Sequence, residues 1–557
     1  MTPPAPPLKL GVLTDGDTIP EWLAASLREV TDRGVARVDL VIERATPPSQ
    51  RAAEPPSRLK RWWRNRAQLA FALAGRLDRN RAQRPPAASL RSLAPEARWI
   101  KVAPVTGRFT DTFAPKDVAA VGSAELDVLV RAGFRILKGG ILDAARFGVW
   151  SFHHGDNRTN RGGPPGVWEV LEDRDVTGVT LQRITAELDG GEVLARSVGK
   201  TERFSFARNV AALYPRSARM LTRSLERAWA GRSPVQATGD HGAVPAYEHR
   251  LYRQPRNAEL LRHGRRLAAT WMRQRARWRG RDVSWSIAWH HAPGRDGAEP
   301  HPVLHRYREM HPPADRFEAD PFVVRDGDRW WMFYEELPYA TRVGRIAARE
   351  MGPRGPVGES LVVLELPSHL SYPFVFRHEG GWYLMPESNA SKRLEIYRAT
   401  EFPWHWEPHK VLLDPFDGVD ATLHRHSDGH WYLFANMGEP GISYDEELHL
   451  FVADSPFGPF TPHPENPVVA DVRRARMAGR LFHSGGDLIR PAQRCAPLYG
   501  AGVVLHVVEE LTPTAYRERV VQELSPTWDP SLVGLHTINA EDGLSVIDLQ
   551  RAIRISS

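Results

Sequence analysis

The sequence predicts a multidomain protein in which a doubly wound α/β region is followed by an all-β five-bladed propeller. In roughly the first 230 residues, short apolar strands alternate with helical segments, which is typical of a parallel sheet. Beyond about residue 281, helical periods disappear and a strand-like phrase recurs about every 50 residues, as propeller blades do. A chain of 557 residues is also too long for a single hydrophobic core.

The elements at the start of the chain follow a strand–helix–strand order. Residues 8–16 form an apolar segment that ends in Gly, residues 21–30 have a helical period, and residues 35–44 read as a second strand. The Pro-rich stretch 46–56 interrupts this order. We therefore expect the basic segment that follows it, residues 57–85, to be a helical insertion.

The segment 148–191 carries residues that suit proton transfer. His153 follows an apolar run and is expected at the carboxyl end of a strand, where open α/β sheets bind their ligands. A histidine with a pKa near neutrality can take a proton from an attacking amine. Asp189 lies 36 residues later and can orient the imidazole and stabilise its charged form. The Gly-rich turn between them lets the backbone approach a ligand closely.

This segment resembles the formyltransferase family, which includes methionyl-tRNA formyltransferase, glycinamide ribonucleotide formyltransferase and the sugar N-formyltransferases. The resemblance covers roughly residues 8–230, within a first domain expected over 1–230. The matched positions are the catalytic His153, the pair Arg161 and Gly162, the TGVT strand at 177–180 and the catalytic Asp189. The resemblance implies a formyltransferase fold, 10-formyltetrahydrofolate as the formyl donor and an amine as the acceptor.

The sequence departs from the family at two positions. Ser151 stands where the family has the catalytic Asn that holds the formyl oxygen, and His154 stands where the family has Pro. Losing an oxyanion donor typically costs about 2.7–4 kcal/mol. Either His154 or Asn157 replaces the Asn, or the chemistry has changed, or the activity has been lost. The residues expected to bind substrate or cofactor are His154, Asn157, Arg161, Gly162, Thr177, Gly178 and Gln182.

The net charge of +7 is concentrated in two basic segments. Residues 58–84 and residues 253–279 each carry nine Lys or Arg and one acidic residue. The second segment belongs to an Arg-rich helical linker expected over 231–280. A basic helix that also carries Trp can lie on an anionic membrane surface, and the alternative, which we favour, is a pair of solvated helices. No nucleic-acid-binding module is visible, so no nucleic-acid partner is expected.

The composition fits a globular protein of a reducing compartment. Hydrophobic residues make up 42% and charged residues 25% of the chain. The single cysteine, Cys495, excludes an internal disulfide framework. The N-terminal residues lack the basic and apolar regions of a signal peptide, and no apolar run reaches the roughly 18 residues that span a bilayer. We therefore expect a cytoplasmic protein whose membrane contact, if any, is peripheral.

Five copies of a strand–turn–strand phrase fill the expected propeller domain, residues 281–557. Each copy has a short alternating strand, a polar turn with Gly and a second strand, aromatic in the three closest copies. The copies begin at Ala319, Ser371, Val419, Gly485 and Gly534. The phrase resembles the five-bladed propellers of the family 43 glycoside hydrolases. It resembles still more the propeller domain of the plant glucosamine inositolphosphorylceramide transferases.

In propellers of this kind, the inner strands point side chains into a central funnel. Glycoside hydrolysis needs two carboxylates there, roughly 5–10 Å apart. The funnel candidates are Asp320, Glu336, Glu387 and Asp420. The alternative, which we favour, is that these carboxylates accept hydrogen bonds from blade turns and hold the propeller together.

A second polar set lies on the last two copies of the phrase. Its members are His483, Asp487, Arg490 and His536. If they converge, the arginine and the two histidines can bind an anion or a phosphate. Their spacing is too open to predict a metal site, and no metal is expected.

The leading hypothesis is a formyltransferase-like enzyme that transfers a formyl group from 10-formyltetrahydrofolate to an amino sugar, in surface glycan or glycolipid synthesis. His153 would relay the proton, Asp189 would orient His153, and Ser151 with backbone groups would stabilise the oxyanion. One alternative is a carbohydrate-binding or scaffold protein with a degenerate transferase domain. The other is a glycosidase or glycosyl-transferring enzyme with its site in the propeller. A folate-sized cleft at His153 would favour the first hypothesis, and a filled cleft would favour the scaffold.

Overall fold

The computed structural model describes residues 6–45, 68–78, 86–107, 109–186, 191–236, 247–278, 281–294 and 296–554. Within these ranges the chain divides into two compact units. The first unit reaches Ala268 and the second begins at Ala269. The candidate catalytic Asp189 lies outside the described residues, as does most of the basic segment 57–85.

The first unit combines short strands with helices, as its sequence predicts. Its strands are β1 (Leu8–Thr14), β2 (Thr18–Pro20), β3 (Ala36–Arg44), β4 (Ala87–Ser89), β5 (Arg98–Val102), β6 (Val105–Thr106), β7 (Thr110–Thr112), β8 (Val128–Arg131), β9 (Ile136–Lys138), β10 (Val149–His153), β11 (Arg161–Gly162), β12 (Val176–Arg183), β13 (Glu192–Lys200) and β14 (Leu251–Tyr252). Its helices are α1 (Glu21–Asp32), α2 (Leu69–Asp78), α3 (Leu90–Leu93), α4 (Pro115–Gly122), α5 (Val167–Leu171), α6 (Phe206–Ala211) and α7 (Leu213–Trp229). A further helix, α8 (Asn257–Trp278), begins near the end of this unit.

Seven strands form the main sheet of the first unit, in the order β13-β12-β10-β8-β1-β3-β5. The five strands from β10 to β5 are parallel, whereas β12 and β13 are antiparallel to their neighbours. The sheet is therefore mixed rather than wholly parallel. Side chains alternate between its faces: Val41 packs in the core beside α1, while Leu40 and Ile42 pack in a separate core on the opposite face. Both faces are thus covered, as a doubly wound sheet requires.

In the sequence, residues 203–230 follow a helical period, and Pro215 predicts an interruption of it because proline lacks the helical N–H. The structure places the interruption earlier, at Ala212, between α6 and α7. Pro215 itself lies in the first turn of α7, where its missing N–H would have no helical acceptor in any case. The sequence thus correctly predicts two helices, separated before the proline rather than at it.

The second unit is built almost entirely of strands. They are β15 (Arg281–His291), β16 (Arg308–Met310), β17 (Arg316–Asp326), β18 (Arg329–Pro338), β19 (Arg345–Gly352), β20 (Gly355–Leu364), β21 (Ser371–His378), β22 (Gly381–Glu387), β23 (Leu394–Glu401), β24 (His405–Leu413), β25 (Gly418–Arg425), β26 (Trp431–Met437), β27 (Glu447–Ala453), β28 (Thr461–Pro462), β29 (Val469–Ala470), β30 (Phe482–Ser484), β31 (Asp487–Arg494), β32 (Gly502–Leu511), β33 (Tyr516–Leu524), β34 (Leu532–Gly534), β35 (Ile538–Glu541) and β36 (Leu544–Arg554).

These strands form five antiparallel sheets. Four are made of consecutive strands: β17–β20, β21–β24, β25–β28 with β29 beside β27, and β30–β33. The fifth joins the two ends of the unit, in the order β16-β15-β36-β34 with β35 also on β36. β15 pairs with β36 over their whole length, from Arg281 opposite Arg554 to His291 opposite Leu544.

The repeated phrases map onto these sheets with one shift. The first three copies and the fifth each form the hairpin that begins a sheet, such as β17 with β18. The copy from Gly485 instead forms β31 and β32, the second and third strands of its sheet. Its residues therefore do not occupy the positions that the other copies suggest.

This shift explains the location of Arg490. The side chain lies on a second strand and is completely buried, and its Nε and Nη2 donate to the carboxylate of Glu518 over 2.7 and 2.8 Å. Tyr516 donates to the same carboxylate over 2.6 Å. The attraction of Arg490 outweighs burial and holds the pKa of Glu518 well below its usual range. Arg490 is thus a structural group, and the prediction that it binds an anion is not supported.

No helix in the described ranges is both long and apolar enough to cross a bilayer. Helix α2 nevertheless exposes three leucines at intervals of four residues, Leu69, Leu73 and Leu77. Residues this far apart share one side of a helix. The first unit therefore presents an apolar stripe on this helix.

We expect Glu518→Gln to lower the free energy of unfolding of the second unit by about 3–5 kcal/mol, because it leaves a buried guanidinium without a counter-charge. Glu523→Gln on the same strand is the matched control. Its partner Arg494 lies 3.3 Å away and the Glu523 side chain is 60% exposed, so the expected loss is below about 1 kcal/mol. Urea denaturation of the full chain measures both. Equal losses in the two variants would contradict this assignment.

Candidate functional site

A cavity of about 800 Å³ opens at the carboxyl ends of β8 and β10 in the first unit. Three polar side chains from these strands line it: Arg131, Ser151 and His153. Parallel strands bring their carboxyl ends to one edge of a sheet, which is where such sheets bind ligands. His153 thus lies at the end of a strand, as predicted.

Arg131 is the residue of this cavity that the sequence did not reveal. Its Nε donates to Ser151 Oγ over 2.9 Å and its Nη1 donates to the carbonyl of Arg135 over 3.0 Å. No carboxylate within the described ranges lies within 4.0 Å of its guanidinium. Burial lowers the pKa of Arg131, against the attraction of Asp15 and Asp111, and an arginine remains protonated at neutral pH. Among the described residues, Arg131 thus places a positive charge beside Ser151 without a carboxylate at ion-pair distance.

The hydrogen bonds of His153 define its tautomer. Its Nε2 lies 2.6 Å from the backbone carbonyl of Asn160. A carbonyl only accepts, so Nε2 carries the proton and the neutral ring keeps its basic lone pair on Nδ1. The amide of Asn160 in turn donates to Glu169 over 2.8 Å. His153 is thus held in a form that can take up a proton.

His154 faces a second, smaller cavity of about 330 Å³. Its ring packs against Trp22, Phe152 and Tyr214, with ring centroids 5.7–5.8 Å apart. Burial, with His153 adding, lowers the pKa of His154 to about 4. Its Nε2 is buried and has no hydrogen-bond partner in the described part of the chain. His154 is therefore a neutral ring in an aromatic wall rather than an acid or base near neutral pH.

The two cavities share part of their lining. Arg131, Ser151 and Phe152 line both of them. A cationic donor and a hydroxyl thus belong to the wall that the two cavities have in common.

Of the other predicted binding residues, two line the larger cavity and a third, Arg161, packs on a tyrosine ring. Gly162 and Gln182 line the larger cavity, and the buried Gln182 Oε1 has no partner among the described residues. Gly162 has a φ of 105°, and a side chain there would clash with the Tyr252 carbonyl at 2.3 Å, so only glycine fits. Arg161 packs its guanidinium over the Tyr247 ring at 4.5 Å.

The remaining three predicted residues hold the fold together and line neither cavity. Asn157 is buried and accepts a hydrogen bond at Oδ1 from Arg196 over 3.0 Å, and its Nδ2 has no partner among the described residues. Thr177 bonds Thr201 and Asn209 in the interior. A side chain at Gly178 would meet Asp156 at 2.8 Å.

In the second unit, the first strands of three sheets share one unusual residue. Asp320, Tyr372 and Asp420 have φ values of 51°, 42° and 52°. Each lies at a register shift near the start of its strand. Bulges of this kind redirect a side chain, here toward the place where the first strands meet. Positive φ is strained for a residue such as tyrosine, and strained backbone concentrates at functional sites.

These three residues belong to a central cluster, defined here as Asp320, Glu335, Tyr372, Glu387, Asp420, Arg476, Gln493, His536 and Asp548, of which all but the partly exposed Glu387 and Arg476 are buried. Asp420 accepts hydrogen bonds from Arg476 over 2.6 Å and from Gln493 over 3.0 Å. The backbone N–H of Asp420 donates to Glu387 over 3.2 Å. The carboxylate and the backbone N–H of Asp420 are thus both hydrogen-bonded within the protein.

Asp320 sits between two other sheets. It accepts hydrogen bonds from the Thr537 hydroxyl over 2.8 Å and from the Tyr372 N–H over 3.3 Å. Burial raises the pKa of Asp320 to about 6, against the attraction of His536. His536 Nδ1 lies 2.5 Å from Asp548, and the two carboxylates raise the pKa of the imidazole despite its burial. Ligand atoms of Asp320, His536 and Asp548 lie within 4.8 Å of one another, a spacing that could hold a metal ion.

In the structure, Glu335 rather than the predicted Glu336 faces the central cluster. Glu336 points away from the central cluster and is bound by Arg316 at 2.9 Å and Arg345 at 2.6 Å. Glu335 faces the cluster instead, because successive side chains of a strand point to opposite faces. Burial, with Asp320 and Glu387 adding, raises the pKa of Glu335 well above its usual value.

The second predicted polar set is not assembled. Arg490 is bound to Glu518, and His536 is bound to Asp548 in the central cluster. His483 and Asp487 are exposed at the turn between β30 and β31. None of these four described residues contacts another member of the set, so they form neither an anion site nor a metal site together.

Comparison with known protein families relates the second unit to plant glycolipid enzymes. A family model described as "Glucosamine inositolphosphorylceramide transferase 1, N-terminal" matches residues 302–528, which lie entirely within this unit. Glucosamine inositolphosphorylceramide transferase 1 of Oryza sativa subsp. japonica is 41% identical over 207 residues, 36% of this chain and 27% of that protein. The Arabidopsis thaliana protein of the same name is 36% identical over 206 residues, with the same shares. The chain spans about a quarter of the length of these relatives.

A shorter similarity is to formyltransferases. Methionyl-tRNA formyltransferase of Chlorobium limicola is 30% identical over 121 residues, 22% of this chain and 38% of that protein. Among solved structures, a family 117 glycoside hydrolase from Zobellia galactanivorans has a TM-score of 0.31 at 14% identity, covering 49% of this chain and 91% of that one. Glycinamide ribonucleotide transformylase 1 from Symbiobacterium toebii has a TM-score of 0.27 at 15% identity, covering 41% and 89%. These two structural likenesses are too weak to bear on function.

We expect Glu335→Gln to be tolerated better than Glu336→Gln in the second unit. Burial raises the pKa of Glu335 well above its usual value and so favours the neutral carboxyl, which a neutral amide resembles. Wild type should lose stability as pH rises through the raised folded-state pKa of Glu335, and Glu335→Gln should lose less. Glu336→Gln removes the acceptor of two arginines and should cost about 1.5–3 kcal/mol at pH 7. Denaturant unfolding at pH 7 and pH 9 tests both, and a larger loss at Glu335 would contradict the assignment.

We expect the first unit to lose stability as pH falls from 6.5, the usual pKa of histidine, towards about 4, the pKa of folded His154. In this window the unfolded chain binds a proton at position 154 and the folded chain does not. His154→Phe should keep the aromatic wall and remove up to about 2 kcal/mol of the loss between pH 7.5 and pH 5, because about 1.5 units separate 6.5 from 5 at about 1.4 kcal/mol per unit. Urea unfolding at pH 7.5 and pH 5 measures it, with the exposed His249→Phe as control. An unchanged pH dependence in His154→Phe would show that His154 is not the group responsible.

Proposed function

We propose that the first unit transfers a formyl group from 10-formyltetrahydrofolate to an amine. The observation that carries this proposal is that two neighbouring cavities share Arg131 and Ser151 as lining residues. A group transfer needs two substrates bound side by side with their reacting atoms at a shared boundary. The similarity to methionyl-tRNA formyltransferase, though it covers only part of the chain, names the same chemistry.

The larger cavity suits the formyl donor. Phe109, Ile136, Leu137 and Ile184 give it apolar walls of the kind that hold a flat ring. The unpartnered Oε1 of Gln182 offers an acceptor to a ring amino group. When bound, the donor supplies an activated formyl group, and transfer requires the amine to lose one proton and the donor nitrogen to gain one. The smaller cavity, with its aromatic wall, is left for the acceptor.

In this proposal, Arg131 and Ser151 stabilise the formyl oxygen in place of the Asn of the formyltransferase family. Negative charge develops on the formyl oxygen as the amine attacks the carbon, and a pre-oriented cation stabilises it more than a neutral donor does. Ser151 Oγ already accepts a hydrogen bond from Arg131, so its own proton is free to donate into the cavity. Ser151 therefore need not mean lost activity.

His153 is the proton carrier in this proposal. The Asn160 carbonyl holds its Nε2 protonated, so Nδ1 is the atom that takes the proton from the amine. The same nitrogen can return that proton to the leaving donor nitrogen. Asp189 is retained as the carboxylate that stabilises the charged form of His153 once Nδ1 has taken the proton, a role that rests on the family resemblance.

For the second unit we infer that the five sheets are the five blades of a propeller, with the central cluster where their first strands meet. We propose that it presents the carbohydrate part of the acceptor, an amino sugar of a glycolipid. The relatives matched by this unit are named for a glucosamine-bearing inositolphosphorylceramide, which supports that choice. Asp320 and Asp420 are both bound by protein groups and nearly sealed from solvent, so we favour this reading over glycoside hydrolysis.

We further propose a cytoplasmic protein that touches an anionic membrane through the region of the basic helices. The apolar stripe of Leu69, Leu73 and Leu77 on α2 lies within the first basic segment and supports this. Helices that bind to lipid surfaces typically carry an apolar stripe beside arginines.

We expect the wild-type chain to bind 5-formyltetrahydrofolate, a stable analogue of the donor, with micromolar affinity in calorimetry. Ile136→Trp should fill the larger cavity and abolish binding, whereas Val105→Trp, at an exposed site outside the lining, should not. Arg131→Met should leave analogue binding nearly unchanged and slow formyl transfer to amino sugars about 100- to 1000-fold. Absence of wild-type binding up to millimolar analogue would overturn the proposal.

A further inference from the structure

A third cavity, of about 400 Å³, lies at the other end of the first strands of the second unit. It is called the basic cavity here and is defined by Arg325, Arg377, His424, Arg425, Trp431 and Arg480, which line it. On three strands the arginine follows the positive-φ residue by five positions: Asp320 and Arg325, Tyr372 and Arg377, Asp420 and Arg425. Five residues of strand span roughly 16 Å, so this cavity is separate from the central cluster.

The arginines of the basic cavity repeat with a partner. Arg325, Arg377 and Arg425 lie directly opposite Trp330, Trp382 and Trp431 on the neighbouring strands. The Arg325 and Arg377 guanidinium groups lie 5.1 and 5.7 Å from the centroids of their tryptophan rings. Facing aromatic rings limit the arginine conformations, which reduces the entropy lost when a ligand binds. The repeat therefore places several oriented cations around one space.

Carboxylates neutralise only part of this charge. Arg480 lies 3.0 Å from Glu541, and Arg325 lies 3.3 Å from Asp542. Neither Arg377 nor Arg425 has a carboxylate within 4.0 Å in the described ranges. Four arginines and one glutamate line the cavity, so its wall carries a net positive charge.

His424 adds an unsatisfied polar atom to the same wall. Its Nε2 is buried and has no hydrogen-bond partner among the described residues. Burial, with His426 and His483 adding, lowers the pKa of His424 to about 4, so the ring is neutral near pH 7. A buried polar atom without a partner is costly unless a ligand or water satisfies it.

We propose that the basic cavity binds the phosphate group of a phosphorylated sugar or polyol. Arg377 and Arg425 supply the two guanidinium groups that are free to bind phosphate oxygens in a bidentate manner. His424 Nε2 supplies one further hydrogen bond, and Trp431 borders the space left for the sugar or polyol ring. The free compound and the headgroup of a phospholipid carry the same chemistry. The site lies outside the formyl-transfer cavities and does not depend on that activity.

The test compares Arg377→Gln/Arg425→Gln with Arg354→Gln/Arg398→Gln in the full chain. The second pair removes the same charge from exposed positions of this unit that do not line the cavity. Calorimetry with glucose 6-phosphate, with glucose as the uncharged control, should show saturable binding of the phosphate ester only. The first double variant should weaken binding at least about tenfold and the second less than about twofold.

Flotation with phosphatidylcholine vesicles, with and without phosphatidylinositol 4-phosphate, identifies the source of the ligand. Binding to the phosphoinositide vesicles that needs Arg377 and Arg425 indicates a lipid headgroup. Binding of glucose 6-phosphate alone indicates a free phosphate ester. The proposal is overturned if neither probe binds at millimolar concentration, or if both double variants bind equally well. Retained binding of 5-formyltetrahydrofolate in these variants keeps this result separate from that of the formyl-transfer proposal.

Discussion

The antiparallel pairing of β15 with β36 is the interaction on which the second unit depends. The two strands come from opposite ends of the unit and pair along their whole length, from Arg281 with Arg554 to His291 with Leu544. Without this pairing both would present unpaired backbone groups to solvent. β36 also carries Asp548, whose carboxylate binds His536 and accepts a hydrogen bond from the backbone N–H of Asp320 in β17. The charge balance of the central cluster thus follows from how the two ends of the unit are joined.

A comparable constraint operates in the first unit through two arginines near the same two carboxylates. Arg44 is almost completely buried, lies 2.7 Å from Asp15 and is bound to the fully buried Asp111. Both carboxylates pair with Arg44, and in the described ranges no carboxylate lies within 4.0 Å of the Arg131 guanidinium. A buried charge without a counter-charge is expensive, and proteins retain it where a reaction or a ligand uses it. Arg44 therefore stabilises the fold, and Arg131 supplies a positive charge to the larger cavity.

Most of the secondary structure could be predicted from the sequence because the spacing of hydrophobic residues is local information. The sequence located β1, α1 and β3, the strand that ends at His153, and the repeated hairpins. It favoured Glu336 over Glu335 because which of two adjacent residues faces inward depends on a register that the repeat alone does not fix. It misplaced Arg490 because the fourth phrase starts one strand late in its sheet. Arg131 carried no local signal, since its importance comes from carboxylates that bind a different arginine.

The first strands of the second unit separate opposite charges along their length. Asp320 and Asp420 stand near one end, and Arg325, Arg377 and Arg425 stand five residues further on. These side chains therefore contribute a charge separation along the strands, and the field of such a separation extends beyond the contact distance of a single side chain. Near a charged surface a field of this kind exerts a torque, which favours one orientation of approach before any contact forms. Ionic strength would then govern the unit's rate of arrival as well as its affinity.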